Sequence, residues 1–530
     1  NINIQYNQCI EVKALYRNSI NNPTRQDFLQ ESYILLLSST MEVGEKGHIV
    51  LFPFMAQGHI IPFLALASKI TQKGYQITFI NTPLNIKKLK TTTKIKNHSL
   101  IHFLEIPFDA TQHGLPQDAE ITDSLPYNLA LKLLEISPSL EPHFKKILTQ
   151  LVDLKIGSFK KPPVCVISDF FFGWSAKVTH EFGIFHTIFC GAGGFGLACY
   201  YSMWLNLPHR HTDKLEFTLP DFQEAGKFHV TQLSPSLAIA DGNDPYSVFQ
   251  MRNLPTWRDS DGVLFNTIEE FEKMGLMYFR RKLCIPIWAI GPILFQENDR
   301  LGSSTRKEPG VDLDKCKEWL DSKEKKSVLY ICFGSQNTIS ASQMMQLAKA
   351  LDGVNGISFI WVIRPPLGYD SNADFRPEEW LPEGFLEENG QRGLIVLNWA
   401  PQVEILAHES IGGFLSNCGW NSVLESLING VPLIGWPMAA DQFFNAKLLV
   451  EEIGVCVEMA RGITFDVSYV DIVEKIELVM GSESEKGKRL RGKACEVKEM
   501  IKDAARDEDD YKGSSVRAMD EFFSLLTKER

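Results

Sequence analysis

No apolar run in this 530-residue chain is long enough to cross a bilayer: Tyr33 to Leu37 is short, and the run from Ile49 is interrupted by Pro53, Gln57, Gly58 and His59. A spanning helix needs about 20 such residues, so no membrane insertion is expected. Excess positive charge is missing too. The formal net charge is −11, with the acids dispersed rather than gathered in a tail, which argues against nucleic acid and anionic lipid as partners. None of the ten cysteines sits in a C-x-x-C pair. Reduced thiols are therefore the expectation, in a cytoplasmic protein with no disulfide framework, metal site or cofactor; a monomer is expected. There is no internal repeat. Residues 1–40 lack both an initiating Met and a signal-peptide pattern, are rich in Asn, Gln and Ser, and are expected to be a disordered extension or translated leader before Met41. Without a secretory signal, the sequon Asn97-His98-Ser99 is expected to go unused.

What is present is enough apolar material for two cores, 44% of residues, in strand and helix patterns that alternate on both sides of the middle. That pattern predicts two doubly wound α/β units with a site between them. The expected divisions are an N-terminal unit over 47–286, a linker over 287–310, a second unit over 311–502, and a closing segment over 503–530 whose helix runs from Ser514 to Lys528. Pro107 to Pro126 and Pro208 to Pro245 read as irregular segments lining a pocket.

The densest chemistry lies between Trp399 and Gln442. Gly413 to Ser416 reads as a buried strand, Asn417 to Trp420 as a turn, and Asn421 to Asn429 as a helix stopped by Gly430. Asn421 and Ser422 then stand at a helix N-terminus, where unpaired N–H groups favour an anion such as a diphosphate; an ordinary N-cap is the plainer alternative. Glu425 lies one turn deeper on the same face, where its carboxylate can accept from ribose hydroxyls. Trp399 follows the strand run Leu394 to Leu397, with Ala400, Pro401 and Gln402 after it. An indole at a strand end can stack on a base, worth ~1–3 kcal/mol in nucleic-acid binders. Asp441 and Gln442 precede a helix over Phe443 to Glu452 and can bind hydroxyls beyond the phosphates.

Three further positions stand at strand ends. The strand run Ile49 to Phe54 leads through Gln57-Gly58-His59 into a helix over Ile60 to Ile70, with Pro62 early in it. A helix N-terminus favours a neutral imidazole able to take a proton. Asp169 ends the run Val164 to Phe170, where it could orient that imidazole or cap the next helix. Gly334 and Ser335 end the run from Ser327, ahead of a helix over Ser340 to Leu351.

With Trp399, Pro401-Gln402, Gly419-Trp420-Asn421-Ser422, Glu425, Gly430-Val431-Pro432, Trp436-Pro437 and Asp441-Gln442 in register, this stretch resembles the signature box of the plant family-1 UDP-dependent glycosyltransferases. The resemblance implies a GT-B architecture, two Rossmann-like domains facing a cleft. It also implies inverting transfer of a sugar, with glucose first choice, from a UDP-sugar to a hydroxyl of a small lipophilic metabolite: a flavonoid, phenolic or terpenoid. Trp399 would stack on uracil and Ala400 read its edge through backbone groups. Gln402 and Glu425 would hold the ribose, and Ser335, Asn417, Asn421 and Ser422 would line the phosphate site. Trp420, Asp441 and Gln442 would surround the sugar. His59 would be the base and Asp169 its orienter. UDP-glucose is a co-substrate, so no metal or other cofactor is expected. The residues leave open a nucleotide-sugar-binding relative without transfer activity, and a UDP-sugar hydrolase or epimerase.

Two positions depart from the family pattern. Gly191 stands where many relatives place Thr or Ser, so one sugar contact is missing or comes from backbone. Asn417 replaces a His, and an amide can donate a hydrogen bond but cannot become cationic. UDP-glucose affinity should therefore depend less on pH between about 5 and 7 in this chain than in Asn417→His, where it should rise toward pH 5 as the imidazole gains a proton. Calorimetry of both across that range checks this, and identical profiles would refute it.

Overall fold

Short β-branched and aromatic runs bounded by polar turns become parallel strands buried on both faces, which is why they read as continuous apolar runs without alternation. The computed structural model describes residues 47–92, 99–122, 125–157, 159–294, 310–336, 338–366, 375–481 and 484–527. The expected leader over 1–40, Met41, Asn97 and His98, and positions 295–309 of the expected linker lie outside the described residues.

In chain order the first lobe contributes β1 (His48–Phe52), β2 (Gln76–Asn81), β3 (Ile101–Glu105), β4 (Pro163–Asp169), β5 (Phe185–Cys190), the ribbon strands β6 (Glu216–Thr218) and β7 (Lys227–His229), then β8 (Gly262–Phe265) and β9 (Ile287–Ala289). The second contributes β10 (Val328–Cys332), β11 (Ser358–Ile363), β12 (Gly393–Leu397), β13 (Ile411–Ser416), β14 (Leu433–Gly435) and β15 (Cys456–Glu458). The sheets run β3-β2-β1-β4-β5-β8-β9 and β12-β11-β10-β13-β14-β15, and every pairing within them is parallel. Both orders reverse direction once, between β1 and β4 and between β10 and β13. At such a reversal, neighbouring connections leave toward opposite faces and open a crevice at the strand C-termini. His59 and Asp169 follow the strands at one reversal, and Ser335 and Asn417 follow those at the other.

The chain returns to the first lobe at its end. Helix Ser514–Leu526 packs Met519 and Phe522 into the first lobe's outer core, with Phe522 against Phe185 and Trp288 and Phe523 stacked on Tyr75.

Several expected boundaries are corrected. Ile287-Trp288-Ala289 is buried and pairs with β8, so the first unit extends past Pro286 and the connection starts later than 287. Segment 208–245 is not wholly irregular, because β6 and β7 pair antiparallel within it. Helix Glu485–Ala504 runs through the expected boundary at 502/503. The helix expected over 443–452 is an α-helix over Gln442–Lys447 followed by a π-helical turn over Leu448–Ile453. Apolar periodicity locates such elements but not their ends, where capping and tertiary contacts decide.

Phe522 is fully buried, so Phe522→Ala should cost ~3–5 kcal/mol. Urea denaturation of the full chain measures it; a loss below about 1 kcal/mol would contradict the docking of this helix.

Candidate active site

Two helices begin at the crevice. Helix Gln57–Gln72 starts three residues earlier than the periodicity suggests, so His59 lies within its first turn, and the N-cap Ala56 supplies no side-chain cap. Pro62 lies inside this helix and has no N–H for the Gly58 carbonyl four residues back. That carbonyl instead accepts from Asn421 Nδ2 at 3.1 Å, across the cleft. Helix Trp420–Leu427 likewise has a capless N-terminus, at Gly419. Asn421 and Ser422 are thus its second and third residues, not its N-cap, and the first-turn N–H groups have no side-chain cap.

His59 Nδ1 lies 2.8 Å from Asp169 Oδ2, and Asp169 is 1% exposed. An ionised carboxylate only accepts, so Nδ1 carries the proton and Nε2 keeps its lone pair. Asp169 Oδ1 accepts from Phe171 N at 3.0 Å, so the aspartate caps the following turn and orients the imidazole at once. Phe54, Phe170 and Phe171 surround the ring at centroid distances of 5.6, 5.2 and 5.5 Å.

Two adjoining cavities share Gly58, Gly334, Ser335, Asn421 and Ser422. One, of about 190 Å³, is lined by Trp399, Ala400, Gln402 and Glu425. There Gln402 Nε2 donates to Ser422 Oγ at 2.8 Å and to Glu425 Oε2 at 2.7 Å, while its Oε1 accepts from Tyr330 Oη at 3.3 Å. The other, of about 300 Å³, is lined by His59, Asn417, Trp420, Asp441 and Gln442. Every predicted site residue therefore lines one of the two cavities except Asp169, which stands behind His59.

Local bonding narrows what several of these side chains can do. Trp420 is buried, and its indole N–H donates to the Asn266 carbonyl of the other lobe at 2.7 Å, so only its ring and backbone remain for a ligand. Gln442 Oε1 accepts from the N–H groups of Met438 and Ala439, each at 3.0 Å, leaving its NH₂ as a donor. Asp441 accepts from Asn445 Nδ2 at 3.0 Å, and burial pushes its carboxyl up. Asn445 Nδ2 also donates to the Cys418 carbonyl at 3.1 Å, tying Asp441 to the turn before Trp420.

Residues 303–491 match the family described as UDP-glucoronosyl and UDP-glucosyl transferase. UDP-glycosyltransferase 92A1 of Arabidopsis thaliana is 48% identical over 89% of this chain and 96% of that protein. The chain belongs to the plant family-1 UDP-glycosyltransferases. Crocetin glucosyltransferase 3 of Crocus sativus is 42% identical over 77% of this chain and 85% of that protein. Among solved structures, UGT73P12 of Glycyrrhiza uralensis, complexed with glycyrrhetinic acid 3-O-monoglucuronide, superposes with a TM-score of 0.74 at 26% identity, covering 91% of this chain and 95% of that one. The two facing Rossmann-like lobes are the GT-B arrangement.

This glycosyltransferase accommodates its two departures locally. Asn417 Oδ1 accepts from Gly419 N at 3.2 Å, and Cys418 takes a left-handed φ of 59° to close that turn. The amide NH₂ faces Gly334, where an added Cβ would stand 2.8 Å from Nδ2. At Gly191 a Cβ would stand 3.2 Å from Pro62, so a Thr or Ser there would press on the helix that carries His59.

Sequence reading missed residues that only the packing brings in. Tyr200 and Tyr246 line the larger cavity, although Tyr200 belongs to the almost wholly apolar helix Gly194–Asn206, which reads as core. Glu272, fully buried, accepts from Gly194 N and from Phe195 N, the latter at 2.9 Å, and packs beside Gly193 and Trp420. Burial pushes its carboxyl up to about 7 from an ordinary 4.5, against the pull of those two N–H groups. Between these values the folded chain holds a proton that the unfolded chain has lost. This contribution to stability is therefore full below about pH 4.5 and lost as pH rises through about 7, a change of up to ~3 kcal/mol. Denaturation midpoints at pH 5 and 8 should differ less in Glu272→Gln than in the parent chain; equal differences would contradict the shift.

Proposed function

We propose that the chain transfers glucose from UDP-glucose to a hydroxyl of a small lipophilic plant metabolite, by direct displacement with inversion at the anomeric carbon. The observation that carries this reading is the His59–Asp169 hydrogen bond of 2.8 Å in a cavity also lined by Trp420, Asp441 and Gln442. His59 Nε2 takes the acceptor proton as the acceptor oxygen bonds to the anomeric carbon. The bond from that carbon to the diphosphate breaks, and its electron pair leaves with UDP. Asp169 holds the ring and stabilises the imidazolium. The open N-terminus of helix Trp420–Leu427 meets the charge developing on the leaving diphosphate, a role that calls for no metal.

In the smaller cavity Trp399 stacks on the base, Ala400 reads its edge, and Gln402 and Glu425 hold the ribose, with Ser335, Asn417, Asn421 and Ser422 around the phosphates. In the larger one the ring of Trp420, the carboxylate of Asp441 and the NH₂ of Gln442 surround the sugar. Relatives support the donor and the acceptor class: their names include a crocetin glucosyltransferase, a scopoletin glucosyltransferase and a flavonoid 3-O-glucosyltransferase. Cytoplasmic residence as a monomer completes the reading; no helix among the described residues is long and apolar enough to cross a membrane.

His59→Ala should lower transfer by ~10²–10⁴-fold or more while UDP affinity stays within about twofold. Asp169→Asn should lower transfer by a comparable factor, since its single amide oxygen cannot serve both Phe171 N and His59 Nδ1, and an NH₂ turned toward Nδ1 moves the imidazole proton to Nε2. Kinetics, calorimetry and NMR of the product's anomeric configuration check these together. Retention of configuration, or donor hydrolysis without transfer to any hydroxylated acceptor, would overturn the reading.

A further inference from the structure

We propose that Glu272 is a positioning residue for sugar transfer: it holds the N-terminus of helix Gly194–Asn206 against the ring of Trp420, and so fixes a wall that the donor sugar meets. This rests on the sugar-transfer reading above, and Glu272 acts through Trp420 rather than on the sugar itself.

Helix Gly194–Asn206 cannot cap itself. Its N-cap is Gly193, which has no side chain to accept from the first-turn N–H groups. Glu272, on another helix, supplies the missing acceptors. Its Oε2 takes the Gly194 N–H and its Oε1 the Phe195 N–H, so both carboxyl oxygens are committed. The regular path of helix Glu269–Leu283 breaks at this residue, where φ is −112° and ψ is 18°. A carboxylate suits the task, because a helix N-terminus favours negative charge and here offers one donor to each oxygen. Gly191 and Ala192, just ahead of this N-terminus, line the larger cavity.

The contact continues across the cleft. A Cβ on Gly193 would stand 2.9 Å from Glu272 Oε2 and 2.9 Å from the Trp420 ring, so the glycine is closed in from both sides and little slack separates carboxyl, backbone and indole. The same stretch of the first lobe holds that indole at two further points. The Asn266 carbonyl accepts its N–H at 2.7 Å, and the Phe271 ring lies 6.3 Å from it between centroids. Asn266 to Glu272 is thus a clamp on Trp420. The backbone around Trp420 is anchored separately, within the second lobe, where Val423 N donates to the Gly419 carbonyl at 3.0 Å and Asn445 Nδ2 to the Cys418 carbonyl at 3.1 Å. Loosening the clamp therefore moves the ring, which lines the larger cavity beside Asp441 and Gln442, more than the N–H groups that would meet the diphosphate.

Glu272→Gln breaks this arrangement at one bond. A single amide oxygen accepts from one of the two N–H groups, and the NH₂ then faces the other, donor against donor. With little slack at Gly193, that repulsion is passed to the ring.

Calorimetry of the full chain with UDP and with UDP-glucose, at pH 8 where the Glu272 carboxyl is ionised, reads the sugar's share of donor affinity as the ratio of the two dissociation constants. In Glu272→Gln that ratio should move about fivefold or more against UDP-glucose, a loss the size of one hydrogen bond, while UDP affinity stays within about twofold. In a Trp420→Ala background the same substitution should move the ratio less than about twofold, because the ring it acts through is gone. An unmoved ratio, equal losses for the two ligands, or an effect that persists in Trp420→Ala overturns the proposal. A ratio that moves as expected in a chain that glucosylates no hydroxylated acceptor would refute the transfer reading and leave Glu272 as a residue that positions the donor-sugar wall. Transfer with an unmoved ratio would do the reverse.

Discussion

Two helix N-termini meet across the cleft, joined by the hydrogen bond from Asn421 Nδ2 to the Gly58 carbonyl, and the site depends on that meeting. Pro62 makes the bond possible by withholding the N–H that would otherwise satisfy Gly58 within its own helix. Each N-terminus carries a partial positive charge and unpaired N–H groups. On the proposed reading they would together hold a diphosphate largely with backbone, which an acidic chain can supply as readily as a basic one. The same field disfavours a cationic imidazole at His59, so the buried Asp169 carboxylate becomes necessary once that ring takes a proton.

Much of this was legible in the sequence because the crevice residues lie within a few positions of strand ends. Asp169 closes β4, Asn417 follows β13, and Trp399 lies two residues beyond β12. A buried parallel strand is an apolar run, and the residue that ends the run announces itself. Contacts set by the docking of lobes were not legible. Nothing local marks Trp420 as donating to a carbonyl 154 positions away, or Glu272 as the acceptor for a helix that starts 78 positions earlier. Helix starts were misplaced for a related reason: Ala56 and Gly419 cap without side-chain bonds, so the usual Ser, Thr, Asp or Asn signal was missing. β9 reads as linker in the sequence because three residues are too few for a pattern.

Internal hydrogen bonds shape the sugar side of the cleft as much as residue identity does. With the Trp420 N–H engaged by Asn266 and the Gln442 oxygen engaged by Met438 and Ala439, one carboxylate, one amide NH₂ and an indole face remain. Asn445 joins two of the loops involved, through Asp441 and the Cys418 carbonyl. A sugar bound as proposed would meet groups already fixed in direction, which lowers the ordering cost of binding. The wall beside His59 is built differently, from rings and hydroxyls.

The most direct test of the account is a structure of the chain with a non-transferable UDP-glucose analogue and a phenolic acceptor bound together. The account predicts the acceptor oxygen within about 3 Å of His59 Nε2, and diphosphate oxygens on the N–H groups that open helix Trp420–Leu427. An acceptor oxygen held by another base, or a diphosphate bound away from that helix, would contradict it.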